Sequence, residues 1–324
     1  YLTFDDGPYP PYTQKLLQLL AAKNVHATFF MVGENAAKHP ETVKLVQTQG
    51  HLIALHAGYH KDLLKLSSSE AAANIAYGKE TLHFDKMIYV TSAQQSLHFA
   101  QWFKVVELMG YDWADELVHV PYGTVSIDGK KLSTRTGNVV LLKDLFAQAI
   151  DKVSALIEEK NPNLENRDEV AEAVGVGAVV FHYLYNSRIK DINFVMEDAL
   201  SFDGSTGPYA QYTYARTCSI LSKAGGVPKG GKAVITADEE ADVLKTLAKF
   251  PERVSAALAD YEPSVVTRYI IELCTAFNRF YHACPIIGAD DADVKNTRLR
   301  ITAACNTVIK TALGLICLRA PEKI

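Results

Sequence analysis

The change of hydrophobic period along the chain constrains its fold more than any other feature. Over roughly the first half, strand-like runs such as LTFD, HATFFMVG and HLIALHAG alternate with stretches of helical period. Such alternation favours a parallel sheet with right-handed crossover connections. From about Asp168 onward the period is almost purely 3.6 residues. Helix-like stretches there lie at 168–186, 208–224, 237–260, 263–283 and 290–317. The sequence therefore predicts an α/β parallel sheet followed by an all-α helical bundle.

Composition is typical of a soluble globular protein, with 48% apolar and 22% charged residues among 324. The formal net charge of −4 argues against a surface that is basic all over, although a local basic face could still bind nucleic acid. The five cysteines are widely spaced in the C-terminal third. We therefore expect buried thiols in a cytoplasmic protein rather than a disulfide framework or a zinc ribbon. No apolar run of eighteen residues occurs and no leader is visible, so no membrane partner is predicted.

Two adjacent carboxylates, Asp5 and Asp6, end the first predicted strand, and His56 ends the third. Catalytic groups in parallel α/β sheets lie at these carboxyl ends. His60 follows His56 at i+4, so both imidazoles could share a metal ion on one turn. One carboxylate and two imidazoles, with positions left for water, form the ligand set of a hydrolytic, zinc-like site. The alternative is a DDGP turn with two surface histidines.

A family resemblance accompanies these residues. The segments TFDDGP and GHLIALHAGYHKDLLKLS resemble the first two motifs of metal-dependent polysaccharide deacetylases, over about residues 1–70. The resemblance implies Asp5 as general base and Asp6, His56 and His60 as ligands of a divalent, zinc-like metal, with an N-acetylated polysaccharide as substrate. The later motifs that supply the general acid do not follow in the expected context. Because positioned proton transfer commonly contributes ~10² to 10⁴ in rate, we expect a poor hydrolase.

From about Glu70 the segments resemble, in order, the C-terminal half of class I arginyl-tRNA synthetases. These segments are KETLHFDKMIYVTSAQQSLHFAQWFKVVELMGYD, LVHVPYG, GKKLSTRTGNVVLLKDL, EDALSFDGSTGPYAQYTYARTCSIL, FNRFYHACPI and LGLICLRAPEKI. The resemblance implies ATP-dependent ligation of arginine to its tRNA, with ATP, arginine and that tRNA as cofactor and partners.

The loop GKKLSTRTG, residues 129–137, has glycines at both ends and contains cations and hydroxyls that could steady a developing pyrophosphate. It resembles the Lys-Met-Ser-Lys-Ser signature loop of class I synthetases. This resemblance implies catalytic roles for Lys131, Ser133, Thr134 and Arg135, although Thr134 stands where the signature has its second lysine. The alternative is an ordinary basic surface turn.

The same resemblance implies a substrate and nucleotide site. Gln95 matches the glutamine that contacts arginine, and four further residues lie where the adenosine of ATP is held. These residues are His98, His119, Tyr122 and Gly123. For His119, which is alone on an apolar strand, a satisfied core histidine is the alternative.

The helical remainder resembles the anticodon-binding domain of the family. Candidate RNA contacts lie on two predicted helices. They are Tyr209, Gln211, Tyr212 and Arg216 on one, and Arg279, Tyr281 and His282 on the other. Aromatic rings stack on splayed bases while arginines hold phosphates. The alternative is that tyrosines at helical spacing are half-buried packing residues.

These observations predict a chimera joined near residue 70. Its parts are a deacetylase-like α/β segment at 1–70, the remainder of a Rossmann-like synthetase catalytic domain at 71–200, and a helical anticodon-binding domain at 201–324. The first two parts are expected to merge into one parallel sheet. The His-Ile-Gly-His loop that grips ATP phosphates in class I synthetases is missing. We therefore expect tRNA binding to be retained more readily than ligation, in a monomer. A deacetylase and an inactive chimera are the alternatives.

Overall fold

The computed structural model describes residues 2–61, 66–82, 85–131 and 140–324. The chain divides into two units, residues 1–122 and residues 123–324. Among the residues described, no helix combines the length and apolarity needed to cross a bilayer.

The first unit contains the predicted alternation of strands and helices. Its elements are β1 (Leu2–Gly7), α1 (Pro10–Ala22), β2 (Ala27–Val32), α2 (Gly33–Lys38), α3 (Pro40–Thr48), β3 (Leu52–Ala57), α4 (Ser68–Leu82), β4 (Met87–Ser92), α5 (Ser96–Leu108) and β5 (Leu117–Tyr122). Strands β1, β2 and β3 pair in that order and in parallel, as predicted. The helix expected to run to Gln49 is divided between α2 and α3, because Pro40 cannot continue a helix but suits the start of one.

The single merged sheet expected in this region is not observed. Within the described residues, β3 pairs only with β2, and β4 pairs in parallel only with β5. Each sheet has its own core: Met31 and Val46 are buried with the first, Phe99 and Val106 with the second. Hydrophobic period specifies which face of a strand is buried, but it does not specify which strand lies at its edge.

The second unit is mainly helical, as predicted. Its elements are β6 (Val125–Ile127), β7 (Lys130–Lys131), α6 (Leu142–Lys160), α7 (Arg167–Tyr185), β8 (Ile192–Phe194), α8 (Met196–Ala199), α9 (Gly207–Lys223), α10 (Asp238–Ala248), α11 (Phe250–Asp260), α12 (Ser264–Ala283) and α13 (Ala292–Leu315). The predicted helix at 237–260 is two helices, since Pro251 lies at the start of α11. The run ELVHVPYGTVSI forms β5 and β6, which belong to different sheets.

The bundle core lies between α9, α12 and α13. Fully buried residues include Ile270, Phe277 and Ile309. The expectation of buried cysteines holds for Cys274, Cys284 and Cys305, but it is wrong for the remaining two: Cys218 is half-buried and Cys317 is exposed.

Candidate functional site

Three residues of the first unit form a cluster with metal-ligating chemistry. Asp6 Oδ1 lies 3.3 Å from His56 Nε2 and 3.0 Å from His60 Nε2. The three ligand atoms all lie within 4.8 Å of one another, and all three residues are exposed. The structure therefore brings together the three residues that the sequence predicted as metal ligands. Asp5, the predicted base, is exposed and is not part of this cluster.

The geometry of the cluster fits a small divalent ion. Ligand atoms ~2.0 to 2.2 Å from a tetrahedral zinc ion lie about 3.3 Å apart, close to the separations between Asp6 and both imidazoles. The donor set of two nitrogens and one carboxylate oxygen is the set that zinc accepts, with an open position for water. In this structure the carboxylate instead contacts both imidazoles directly.

Backbone features position the cluster. Asp6 has a positive φ of 69°, where the register of β1 against β2 shifts, and its carbonyl oxygen accepts a hydrogen bond from Asn35 Nδ2 at 2.9 Å. His56 lies within β3, and the chain then bends at Gly58 and Tyr59. The expected proximity of the two imidazoles is observed, although a strand end and a bend, rather than one turn, bring them together.

Asn74 on α4 holds that bend, and sequence reasoning missed it. Its Oδ1 accepts a hydrogen bond from Tyr59 N at 2.5 Å, and its Nδ2 donates to Tyr59 O at 3.0 Å. Gly58 allows the approach, because a Cβ there would lie 1.8 Å from the Asn74 carbonyl oxygen. Asn74 is 2% exposed, and a polar residue inside the apolar α4 pattern was the only available signal.

Two of the residues predicted to contact arginine or adenosine, Gln95 and Tyr122, lie at the carboxyl end of the sheet formed by β4 and β5. Gln95 follows β4, and Tyr122 ends β5 opposite Ser92. Gln95, His98 and Tyr122 are exposed. This edge is the carboxyl end of two parallel strands, where ligands of open α/β sheets bind.

His119 has partners within the protein. Its Nε2 lies 2.9 Å from Thr91 Oγ1, and its ring stacks on Phe99 with centroids 4.4 Å apart. These contacts favour the alternative interpretation, in which the partners of His119 are residues of the protein rather than the adenosine of ATP.

The basic loop begins with a tight hairpin in the second unit. Ile127 and Lys130 pair across a turn in which Asp128 and Gly129 both have positive φ, as a two-residue type I′ turn requires. Lys131 ends β7, and its side chain lies outside what the structure describes, as do Ser133, Thr134 and Arg135. Their predicted roles remain predictions.

Two residues of the segment leading through β8 fix this hairpin, and sequence reasoning missed both. Asp191 Oδ1 accepts hydrogen bonds from Thr124 N and Oγ1, each at 2.7 Å. Asn193 Oδ1 accepts one from Gly129 N at 2.7 Å. Gly123, predicted to lie by ATP, has a packing role, because a Cβ there would lie 2.2 Å from the Lys190 carbonyl oxygen.

The candidate RNA-binding face consists of Tyr212, Arg216 and Tyr281. The Arg216 guanidinium carbon lies 5.1 Å from the Tyr212 ring centroid and 5.0 Å from that of Tyr281, within cation–π range of both. Both tyrosines are exposed, at 42% and 39%. A groove of about 820 Å³ lies at this face and is also lined by Lys223 and His282. Rings and cations that face solvent together can bind unpaired RNA.

The other predicted RNA contacts differ in exposure. Gln211 is fully buried, and its Nε2 donates to the carbonyl oxygens of Ala173 at 3.0 Å and Arg319 at 2.8 Å. The prediction for Gln211 is therefore wrong, because on α9 it points away from the face that Tyr212 and Arg216 share. Tyr209 is half-buried, whereas Arg279 and His282 are exposed.

Comparison with known proteins identifies the family. Residues 37–196 match the family described as tRNA synthetases class I (R), catalytic domain, and residues 210–324 match the DALR anticodon binding domain. The arginine–tRNA ligase of Halothermothrix orenii is 48% identical over 250 residues, covering 76% of this chain and 44% of that protein. Over these matched regions the chain belongs to the arginyl-tRNA synthetase family.

Other arginyl-tRNA synthetases support this assignment. The arginine–tRNA ligase of Alkaliphilus metalliredigens is 42% identical over 293 residues, which are 90% of this chain and 52% of the relative. The solved arginyl-tRNA synthetase of Thermus thermophilus matches 75% of this chain and 42% of its own length, with a TM-score of 0.69 and 30% identity. The chain thus spans about half the length of the curated relatives it matches.

The predicted chimera is not confirmed. The synthetase match begins at residue 37, inside the segment that sequence reasoning assigned to a deacetylase. Solved deacetylases match parts of the chain with TM-scores of 0.24 to 0.28, which are too low to show a shared fold. A merger of the synthetase fold with a deacetylase fold is therefore unsupported.

Proposed function

We propose that this chain acts as a tRNA-binding part of an arginyl-tRNA synthetase, with the tRNA for arginine as its partner. The observation that carries the proposal is the Arg216 guanidinium between the exposed rings of Tyr212 and Tyr281. These residues lie in the region that matches an anticodon binding domain. Bases of a single-stranded loop can stack on the rings, while arginine neutralises a phosphate.

The test is a filter-binding titration of arginine tRNA and an unrelated tRNA at several salt concentrations. We expect preference for arginine tRNA, with affinity that falls as salt rises because phosphate contacts release counterions. Arg216→Gln should weaken binding and reduce the salt slope by about 1. Arg268→Gln is the matched control, because Arg268 is an exposed arginine of α12 outside the Tyr212, Arg216 and Tyr281 face. Equal affinity for both tRNAs would refute the proposal.

A part in ligation is a separate proposal. The family reaction uses ATP and arginine. Lys131, Ser133, Thr134 and Arg135 are the residues that would act on the phosphates, and the Gln95 and Tyr122 edge would take arginine and adenosine. Arginine-dependent exchange between ATP and pyrophosphate measures this activity, and in a protein that shows exchange, unchanged exchange after Gln95→Ala would contradict the role proposed for Gln95.

A second candidate is a metal-dependent deacetylase, favoured by the cluster of Asp6, His56 and His60. These three residues would hold a divalent ion, which would supply Lewis-acid activation of a water molecule. Asp5 would accept the proton of that water. An N-acetylated polysaccharide is the proposed substrate.

Metal content and acetate release test this candidate. Equilibrium dialysis against zinc should give one ion per chain, and Asp6→Asn should abolish its retention. Asp112→Asn is the control, because Asp112 is an exposed aspartate of the same unit that lies outside the cluster. Absence of both stoichiometric zinc and acetate release from N-acetylglucosamine oligomers would eliminate this function.

Three further properties are proposed together with the synthetase-like function. They are the domain boundaries at 1–70, 71–200 and 201–324, a monomeric state and a cytoplasmic location. Sedimentation of the purified chain tests the monomer.

A further inference from the structure

A hydrogen-bonded amide lies next to the guanidinium of the candidate RNA-binding face. Asn278 on α12 accepts a hydrogen bond at Oδ1 from Arg216 Nη1 at 2.6 Å. Its Nδ2 donates to Tyr209 Oη at 2.9 Å and lies 3.2 Å from Thr213 Oγ1. Both ends of the Asn278 amide are therefore held by side chains of α9.

The three α9 partners share one helical face, because positions 209, 213 and 216 are four and three residues apart. Thr213 is fixed in turn, since its Oγ1 donates to the Tyr209 carbonyl oxygen at 2.9 Å. Asn278 is half-buried, whereas the rings that flank Arg216 are exposed. The Nδ2 group of Asn278 is thus held by Tyr209 and Thr213, while its Oδ1 binds the Arg216 guanidinium.

Contacts with two rings do not by themselves fix which N–H groups of a guanidinium face the solvent, because rotation about the side-chain bonds can still change their direction. The 2.6 Å hydrogen bond from Nη1 removes that freedom, because it fixes one edge of the group against the bundle. The remaining N–H groups of Arg216 keep a constant direction as a result. A cation held in this way loses less conformational freedom when a ligand binds.

We propose that Asn278 is a positioning residue for RNA binding, which holds Arg216 between Tyr212 and Tyr281 so that single-stranded RNA meets an ordered cation and two ring faces. This inference rests on the proposed tRNA binding. Asn278 acts through Arg216 and does not itself contact the RNA.

A double-mutant cycle tests this role. Asn278→Ala should weaken binding of arginine tRNA about fivefold, the scale of one lost hydrogen bond. Arg216→Gln should weaken it at least as much, and the double variant should bind no more weakly than Arg216→Gln alone. Independent, additive losses or unchanged affinity of Asn278→Ala would overturn the proposal.

Asn306→Ala is the matched control for folding effects. Asn306 is also half-buried, and its Nδ2 donates to α9 at Thr217 Oγ1, 2.9 Å away, and lies 3.0 Å from Cys218 Sγ. It makes no hydrogen bond to Arg216 among the described contacts. We expect Asn306→Ala to lower the melting temperature while leaving the tRNA affinity within about twofold of the unsubstituted protein. An equal loss of affinity in both alanine variants would indicate a merely structural role for Asn278.

A readout without RNA separates this inference from the proposed function. In ¹⁵N-edited spectra, the Arg216 Nη resonances should be resolved and slow to exchange in the unsubstituted protein and in Asn306→Ala, but averaged in Asn278→Ala. Averaged resonances in the unsubstituted protein would overturn the positioning role even if tRNA binds. Failure of the unsubstituted protein to bind tRNA refutes the proposed function and removes the role of Asn278, whereas normal binding by Asn278→Ala refutes Asn278 alone.

Discussion

Replacement of Arg298 by methionine should destabilise the helical bundle severely. Arg298 Nε lies 2.6 Å from Glu240 Oε1, and these side chains are 10% and 0% exposed. Arg298 also donates to the Pro285 carbonyl oxygen at 2.8 Å and to Thr236 Oγ1 at 3.1 Å. Methionine leaves the Glu240 carboxylate buried without its counterion, a change that typically costs about 3 to 5 kcal/mol.

The pH dependence of this loss follows from the pKa of Glu240. Burial by itself raises this pKa, yet hydrogen bonds from Thr236 N and from Arg298 hold it below its ordinary value of 4.5. A lowered folded-state pKa contributes stability that is present above 4.5 and is lost as the pH falls through the folded-state value. The difference in free energy of unfolding between Arg298→Met and the unsubstituted protein should therefore narrow as the pH falls below 4.5.

Urea unfolding can be followed separately in the two units. Both tryptophans, Trp102 and Trp113, lie in the first unit, whereas most helical residues lie in the second. Arg298→Met should shift the far-ultraviolet circular dichroism transition and leave the tryptophan fluorescence transition in place. The double variant Glu240→Leu, Arg298→Met should recover much of the loss, since it buries no charge. A loss under about 1 kcal/mol, or a double variant as unstable as Arg298→Met, would refute this reasoning.

Three further changes test the structure. Burial and the neighbouring His26 lower the pKa of His51, whose Nδ1 accepts a hydrogen bond from Ala27 N. The urea midpoint from tryptophan fluorescence should therefore fall as the pH drops below 6.5. His51→Gln should flatten this pH dependence. Gly58→Ala should disturb the bend that carries His60 and lower the zinc retained in dialysis, whereas Gly288→Ala, where a Cβ meets open space, should not. Burial raises the pKa of the Cys274 thiol to about 12, so a thiol reagent should modify exposed Cys317 at once and Cys274 only after unfolding. Peptide mass mapping identifies the modified cysteine, and prompt modification of Cys274 would contradict its burial.

The elements that could be predicted from sequence are those set by local pattern. Alternation and helical period located β1 to β3 and the long bundle helices, since each is specified by its own apolar positions. Which strands pair with one another depends on contacts between segments distant in sequence. The hydrophobic period therefore could not predict that β4 and β5 form a sheet separate from β3. Breaks at Pro40 and Pro251 carried a visible signal that a purely periodic reading overlooks.

Candidate site residues were predictable where chemistry alone distinguishes them. Asp6, His56 and His60 were identified because carboxylate and imidazole groups lie at or just beyond the carboxyl ends of the first and third strands, and the structure brings them together. Asn74 and Asn278 carry no such signal: each acts through an amide that bridges segments distant in sequence. The burial of Gln211 depended on which face of α9 meets α7, a contact that its spacing from Tyr212 did not determine.

The proposed tRNA binding depends on a face that is built within the second unit alone. Tyr212 and Arg216 project from α9, Tyr281 and Asn278 from α12, and both helices are anchored in a core that belongs entirely to the second unit. Gln95 and Tyr122, which are proposed to contact arginine and adenosine, lie in the first unit, where the β4 and β5 sheet has a core of its own. Because the face draws its order from Asn278 and from burial within its own bundle, changes in the first unit need not weaken it. Substitution of Gln95 should therefore leave tRNA affinity unchanged, whereas substitution of Asn278 should not.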